Sequence, residues 1–471
     1  MILVILSWYG SALLIIAAWD AFVTNPISFG VETTYTDWDT KLPAVAICEA
    51  NNKLMIYNVS DTLVIHIRNY PQNLIWTPNH LLDLEDALKD VAYFRGSCYR
   101  LIDVCYKNNN PDPFCQTSNY SYYAKLVRSG CRQTLSNCSY NDQNFNCCQY
   151  FQPIDTDMGT CYIINSIQTK KPNPYKMVVN MKQKRGVLKF DVLLPSMITK
   201  VFFKIYTLGE DEVPTITSSK YSTLKIKLGH GYRRQLTVRN IENDPLVVET
   251  NPEQRACRIH SENDGLYPHY SYSACTVLCR KRAQQRICHC NDHFMLDTSV
   301  PEHCNITGML CLHTHEGDLT ALKPQWALHR RGMTCHCLPS CDETEITIIK
   351  DVISSHKSKE KKAFVEIVLA YLPTERFKRN VVRSRLDLVV SVGGTTGLFV
   401  GASLLSFVEL IFYFTVRFAG NFWIVKNKNK NGIEQMNATS TGKSLETTQT
   451  GRRAIRFEKT FFQQTRAQNF M

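Results

Sequence analysis

LVVSVGGTTGLFVGASLLSFVELIFYFTV, residues 388–416, is a 29-residue stretch with one charge, Glu409, and glycines at 393, 394, 397 and 401. A hydrocarbon core of about 30 Å needs only ~20 helical residues. At ~1.5 Å per residue the stretch would make a straight rod roughly 43 Å long. It is therefore steeply tilted or broken partway, and Gly401-Ala402-Ser403 lies at its middle. Irregular backbone at membrane depth survives only where protein or a water-filled cavity shelters it. That points to a pore. Gly393, Gly397 and Gly401 recur every four residues and share one helical face. Close helix packing through small residues explains that face but not the excess length. The sharper reading puts the face, or the backbone just beyond it, at the axis of an oligomer. Glu409 agrees, because a carboxylate within a span faces protein or water, although a place near the inner interface would also suit it.

Working outward, the residues after Val416 are strongly basic, among them Arg417, Lys426, Lys428 and Lys430. Positive charge flanking a span marks the cytoplasmic side. The formal net charge of +12 therefore needs no nucleic acid partner. At the other end, Ile2 to Trp19 is 18 residues without a charge, long enough to cross at ~27 Å. A secretory signal peptide is the rival reading, but no Lys or Arg precedes the run and Ile16-Ala17-Ala18-Trp19 lacks a small-x-small cleavage site. The chain starts at this helix with no cytoplasmic lead, as expected of a truncated gene model or a fragment. The expected order is a first span over 1–24, an outer domain over 25–386, a second span over 387–417 and a disordered tail over 418–471. Both termini are then cytoplasmic.

All 19 cysteines of the 471-residue chain lie between Cys48 and Cys341, so the outer domain is disulfide-rich and sits in an oxidising compartment. An odd number leaves at least one thiol free or paired with another chain. Sequons at Asn58, Asn119, Asn137 and Asn305 fall in the same region. Asn437 also heads a sequon, and is expected to go unused. The outer domain reads as mixed α and β, giving an α+β fold class. Strand composition marks 43–47, 187–194, 201–206 and 364–371, and 81–91 and 273–287 read as helices.

The last ten cysteines have a geometric logic. Cys275 and Cys279 share one face of the predicted helix, ~6 Å apart along its axis. Cys335 and Cys337 share one face of an extended segment, ~6.6 Å apart. Two such rows can be stapled twice at Cα separations of about 5.5 Å. An antiparallel arrangement gives Cys275–Cys337 and Cys279–Cys335. Cys257–Cys341 can close outside this pair, with Cys288–Cys311 and Cys290–Cys304 inside it. Zinc competes, since Cys288-His289-Cys290 and Cys335-His336-Cys337 offer sulfur and imidazole. Thiolate zinc sites favour reduced compartments, and C-x-C is not their usual spacing, so bridges are favoured and the neighbouring histidines read as exposed polar residues. His313-Thr314-His315-Glu316 is not H-E-x-x-H, and neither G-x-S-x-G nor a phosphate loop occurs. No enzyme, resident cofactor or metal is expected.

At these residues the chain resembles the degenerin/epithelial sodium channel family, in particular its arthropod pickpocket branch. Leu42-Pro43-Ala44-Val45-Ala46-Ile47-Cys48 is similar to the signature that follows the family's first helix. Gly159-Thr160-Cys161-Tyr162-Ile163-Ile164-Asn165 is similar to G-x-C-Y-x-F-N, and the resemblance implies a Cys48–Cys161 bridge. Tyr270 to Cys275 and Cys335 to Cys341 resemble the thumb motifs, whose nested bridges agree with the ladder. Gly393 to Ser403 resembles the pore helix, with Gly401, Ala402 and Ser403 on the selectivity filter. Val390 falls on the degenerin position outside the gate, next to Gly393 and Gly394.

The resemblance implies a hand-like ectodomain of palm, finger, thumb, knuckle and β-ball, with the finger near 49–152 and the thumb near 255–345. It implies a plasma-membrane homo- or heterotrimer, amiloride-sensitive, passing Na⁺ as permeant ion and answering an unidentified extracellular ligand, matrix contact or mechanical load. Three departures qualify it: no His-Gly motif precedes the first helix, Ser391 stands where some proton-gated relatives are acidic, and the epithelial branch's proline-rich C-terminal motif is missing. Cys98, Cys105, Cys115, Cys131 and Cys148 fit the extra finger cysteines of insect members without a readable pairing; Cys138–Cys147 is the pair expected nearby. The alternatives are a non-conducting modulatory subunit or ligand-binding membrane receptor, and a secreted cysteine-rich binding protein.

Overall fold

The computed structural model describes residues 2–33, 38–69, 81–107, 110–111, 115, 119–171, 177–183, 185–193, 202–219, 221–227, 229–355, 362–401, 404–417 and 419–420. Residues 19–388 form one compact unit. The chain before Trp19 and the chain from Val389 onward form a second.

The larger unit is built on two sheets. Strand β1 is Ile27–Glu32 and β2 is Ala44–Asn51. Leu135–Tyr140 and Gln143–Phe145 are β3 and β4, and Gln152–Thr156 and Gly159–Ile164 are β5 and β6. Then come β7 (Gly186–Leu193), β8 (Phe202–Leu208), β9 (Thr223–Ile226) and β10 (His230–Asn243). The last three are β11 (Thr344–Ser355), β12 (Lys362–Leu369) and β13 (Arg376–Val381). An eight-stranded sheet runs β1-β13-β10-β12-β7-β3-β4, with β11 also on β10, and a five-stranded sheet runs β9-β8-β2-β6-β5.

Alternation explains why these segments are strands, since residues two apart share a face. Leu188, Phe190 and Val192 of β7 are buried, and so are Ala363, Val365 and Ile367 of β12. They pack in one core with Val45, Phe203, Ile205 and Ile226 of the smaller sheet. Strand β10 breaks the pattern with a charge: Arg234 faces inward beside Tyr232, Leu236 and Val238. Its Nε and Nη2 each donate to Asp351 on β11 at 2.8 Å, and Nη1 donates to the Ser222 carbonyl. A buried charge is tolerated only when paired in this way.

Helix α1 is Ile2–Thr24; α2, α3, α4 and α5 are Lys53–Asn69, Leu81–Ala92, Tyr99–Cys105 and Tyr120–Val127. Helices α6 and α7 are Tyr272–Cys288 and Ile306–Thr314, and α8 and α9 are Arg385–Val400 and Leu404–Phe412. Leu84, Leu88 and Val91 put a helical stripe from α3 into a core with Leu101, Ala124, Met309 and Leu312. Helix α6 starts where the Ser271 hydroxyl accepts from the Ala274 N–H at 3.1 Å, and ends at His289 with φ 56°.

Several expected elements differ in extent from those observed. The strand expected over 43–47 runs on to Asn51, and that over 364–371 is Lys362–Leu369. Leu194 and Val201, expected within strands, lie outside the described residues, as do Ala402, Ser403, Asn437 and the tail beyond 420. The sequence reading missed α2 and both long strands β10 and β11.

Candidate functional site

Both helices that the sequence reading sent through the membrane leave from one strand pair. Strand β1 follows α1 directly, and β13 precedes α8. The two pair antiparallel from Ile27↔Val381 to Glu32↔Arg376. The Pro26 carbonyl accepts from the Val382 N–H at 2.9 Å and closes the end of the ladder. Strand β13 is then continued into the large sheet by parallel pairing with β10. Arg376 binds Glu32 at 2.8 Å and Glu242 at 2.6 Å, with its guanidinium 4.6 Å from the Trp38 ring. The end of α1 and the start of α8 are thus each separated from this strand pair by only a few residues.

Helix α8 begins with a reciprocal cap. Asp387 accepts from the Ser384 N–H at 2.8 Å, and the Ser384 hydroxyl accepts in return from the Asp387 N–H at 3.2 Å, an arrangement that satisfies orphan donors of a first helical turn. The helix stops at Val400. Gly401 has φ +67°, with its N–H still bonded to the Gly397 carbonyl at 3.1 Å, and helix resumes at Leu404. A left-handed turn costs a residue with a Cβ about 1–2 kcal/mol, and glycine nothing, so the interruption falls where the sequence allows it. The Ser7 hydroxyl of α1 donates to the carbonyl of Phe399, just before the break, and the Phe399 ring packs on Gly10. Val390, Gly393, Gly394, Gly397 and Glu409 are all exposed, and a Cβ placed on Gly393 or Gly394 would meet nothing within 4 Å. A π-helical turn, Tyr413–Arg417, follows α9. Among the described residues one helix, Val4–Thr24, is long and apolar enough to cross a membrane unbroken; the second segment is two shorter helices.

The cysteine rows meet as a ladder. Cys275–Cys337 and Cys279–Cys335 span 5.8 and 6.0 Å between Cα atoms, with Cys257–Cys341 outside at 5.0 Å. Cys288–Cys311 and Cys290–Cys304 lie inside. Cys48–Cys161 joins β2 to β6, tying together the two motifs at 42–48 and 159–165. The Gly159 of the second motif has φ +90°, and a Cβ there would overlap the Arg128 guanidinium. That guanidinium donates to the carbonyls of Ala92, Met158 and Thr160 and so clamps α3 onto the motif. Cys138–Cys147 forms, and the unassigned cysteines resolve as Cys105–Cys115 and Cys131–Cys148, with Cys98 free and buried.

Arg379 on β13 was not singled out from the sequence. Its Nη1 donates to the Cys341 carbonyl and to Asn243 Oδ1, both at 3.1 Å, and contacts Cys257 Sγ at 2.8 Å. It therefore ties the outermost bridge to the strand that feeds α8. A cavity of about 420 Å³ is lined among others by Trp38, Glu210, His260, Asp342 and Arg376. His260 sits between Asp211 at 3.8 Å and Asp342 at 3.7 Å, and Asp211 in particular raises its pKa. Burial, helped by Asp211, lifts the neighbouring Glu212 carboxyl to about 7.

Zinc at Cys288 does not fit this geometry. Cys288, Cys311 and His315 come together, but the two sulfurs are joined in a bridge and thiolate is the form that binds metal. The reading of cysteine-flanking histidines as exposed holds for His289 and His336 and fails for His303, which is buried beside Cys304. Asn58, Asn119, Asn137 and Asn305 are exposed. Asn305 also caps α7, accepting from the Gly308 N–H at 3.0 Å.

The chain carries a disulfide-stapled α+β domain with an apolar helix before it and an interrupted apolar segment after it in sequence, and the family model it matches is one of ion channels. The chain belongs to the amiloride-sensitive sodium channel family, whose model matches residues 1–413, and this is a family of channels rather than enzymes. It is 23% identical over 315 residues to the sodium channel protein Nach of Drosophila ananassae, covering 63% of this chain and 59% of that one. It is 22% identical over 317 residues to pickpocket protein 19 of Drosophila melanogaster, covering 58% of each. Acid-sensing ion channel 1C of Danio rerio is 23% identical over 414 residues, covering 79% of this chain and 69% of its own length. The matched stretch thus spans about three fifths of the Nach and pickpocket relatives named.

Proposed function

We propose that the chain is a subunit of a trimeric, amiloride-sensitive cation channel that selects sodium and crosses the plasma membrane twice, with both termini cytoplasmic. The observation that carries this reading is the interruption at Gly401 between α8 and α9. Backbone broken at membrane depth needs a protein or aqueous environment, and its freed carbonyl oxygens can replace an ion's water shell. In this reading Gly401, Ala402 and Ser403 form the filter, Val390, Gly393 and Gly394 the gate, and Glu409 faces water or a neighbouring subunit. The open surface around Gly393 and Gly394 suits helices of related subunits, in a homo- or heterotrimer, and the exposed apolar side chains of α1 suit lipid.

The α6 ladder then acts as the thumb, the α2–α5 layer as the finger and the large sheet as the palm. An extracellular chemical or mechanical stimulus shifts the stapled thumb and finger. Arg379 and the β1–β13 pair pass that shift to both helices. Sodium enters when the segment from Val390 to Gly394 parts.

The test is Ser403→Cys in a conducting assembly, probed with a charged thiol reagent. The one free native cysteine among the described residues, Cys98, is buried, so the reagent reads the introduced thiol. Block or altered permeation is expected. Unchanged permeation with labelling verified would end the argument.

A further inference from the structure

The β8–β9 hairpin places two lysines where elementary electrostatics disfavours them. Lys204 and Lys225 are directly opposite in the antiparallel register, and like charges facing each other across a strand pair destabilise a sheet. The same face of the hairpin forms the wall of a cavity of about 890 Å³. Arg95, from the segment after α3, and Lys227 and His230, around the start of β10, bring more positive or protonatable groups to that wall. Among its described lining residues there is no Asp or Glu. Nor do Arg95, Lys204, Lys225 or Lys227 take part in any of the ion pairs found among the described residues. Burial, with Arg95 and Lys225 adding to it, pushes the Lys204 ammonium down to about 8. Ser218 and Thr223 add two hydroxyls, and the rest of the wall is apolar or aromatic, with Met158, Tyr206, Ile216, Tyr232 and Ile353 among it.

A solvated basic surface would account for scattered lysines. It does not account for a cross-strand pair of them over a concavity walled by aromatic and aliphatic side chains. Concave, largely apolar sites of this size with a few convergent polar groups are where small ligands bind.

We propose that this cavity binds a small organic anion, with a carboxylate, sulfonate or sulfate head between Lys204 and Lys225 and an aromatic or aliphatic body against Tyr206, Ile216 and Ile353. Arg95 and Lys227 supply the outer charge. The anion supplies a counter-charge that the described cavity lining lacks, so its binding also stiffens β8 and β9 and the contact between α3 and the smaller sheet. The site lies wholly within residues 19–388 and requires nothing of the pore, so it stands or falls apart from the channel reading.

The experiment is a thermal-unfolding titration of the full chain in a neutral detergent. The probe is naphthalene-2-sulfonate, with naphthalene-2-sulfonamide as its uncharged counterpart and sodium chloride at matched ionic strength. The sulfonate should raise Tm in a saturable way, and the other two should not. In Lys204→Gln/Lys225→Gln the ligand-free Tm should rise by about 2 °C as the repulsion goes, and the sulfonate should bind at least about tenfold more weakly. Lys227→Gln should give a smaller loss of affinity. No saturable shift in the wild type, an equal shift with the sulfonamide or the salt, or undiminished binding by the double variant would overturn the proposal.

Discussion

Removing one rung of the α6 ladder should cost far less than its loop length suggests, and removing both should cost more than twice one. Cys275–Cys337 closes a separation of 62 residues and Cys279–Cys335 one of 56. Taken alone, each would restrict the unfolded chain by about 4 kcal/mol in the chain-entropy account. They are nested, however. With one rung intact, the other closes only the ring made by 275–279 and 335–337, about six residues, worth about 2 kcal/mol. Once one is gone, the survivor is braced by Cys257–Cys341, 84 residues apart in sequence. It then closes a ring of about 22 residues made by 257–275 and 337–341, worth about 3.4 kcal/mol. The pairs Cys275→Ser/Cys337→Ser and Cys279→Ser/Cys335→Ser should therefore each lose about 2 kcal/mol. The fourfold variant should lose about 5–6 kcal/mol. Urea unfolding under non-reducing conditions, with the slope checked for constancy, measures this. A loss of about 4 kcal/mol for either single rung, the isolated-loop value, would refute the nesting argument. So would a fourfold variant no worse than one rung. If the ladder is the rigid lever of gating, the fourfold variant should also blunt the response to stimulus more than either pair.

Gly401→Ala should reduce current without reducing surface level. The backbone there has φ +67°. Holding alanine in that left-handed region costs about 1–2 kcal/mol. Gly401→Asn, better tolerated there, should recover part of the current, and equal currents for all three would count against the break. Arg379→Met removes the hydrogen bonds that β13 donates to Asn243 Oδ1 on β10 and to the Cys341 carbonyl. That loss should cost about 2 kcal/mol, read as a lower Tm and an altered stimulus–current curve at normal surface expression. Glu212 and His260 both have pKa values raised in the folded chain, so both favour the protonated form. Their contribution is complete below the unfolded values and fades as pH rises through the folded ones. For Glu212 that window runs from its ordinary carboxylate range up to about 7. Thermal stability should fall across it, and Glu212→Gln should flatten the slope; an unchanged slope would remove Glu212 as its source.

Local rules made much of this chain legible. Twenty-nine nearly uncharged residues exceed a bilayer at helical rise, and the only low-cost left-handed turn near their middle is at Gly401. Cysteine spacings of four and two matched a helix face and an extended segment, because rise per residue is a property of the backbone itself. Alternating Leu188, Phe190 and Val192 announced a half-buried strand. What stayed hidden depended on partners remote in sequence. Arg234 reads as a solvent residue until Asp351 arrives 117 positions later to neutralise it, and for that reason β10 escaped notice. Arg379 looks like surface charge until the sheet brings the Cys341 carbonyl to it. Cys98 is the free, buried cysteine; counting shows that at least one thiol has no partner within the chain, but not which one. The opposed Lys204 and Lys225 became a feature only when register set them face to face. Backbone geometry is local and can be read in order along the chain, whereas pairing, burial and charge compensation are settled by which distant segments the fold brings into contact.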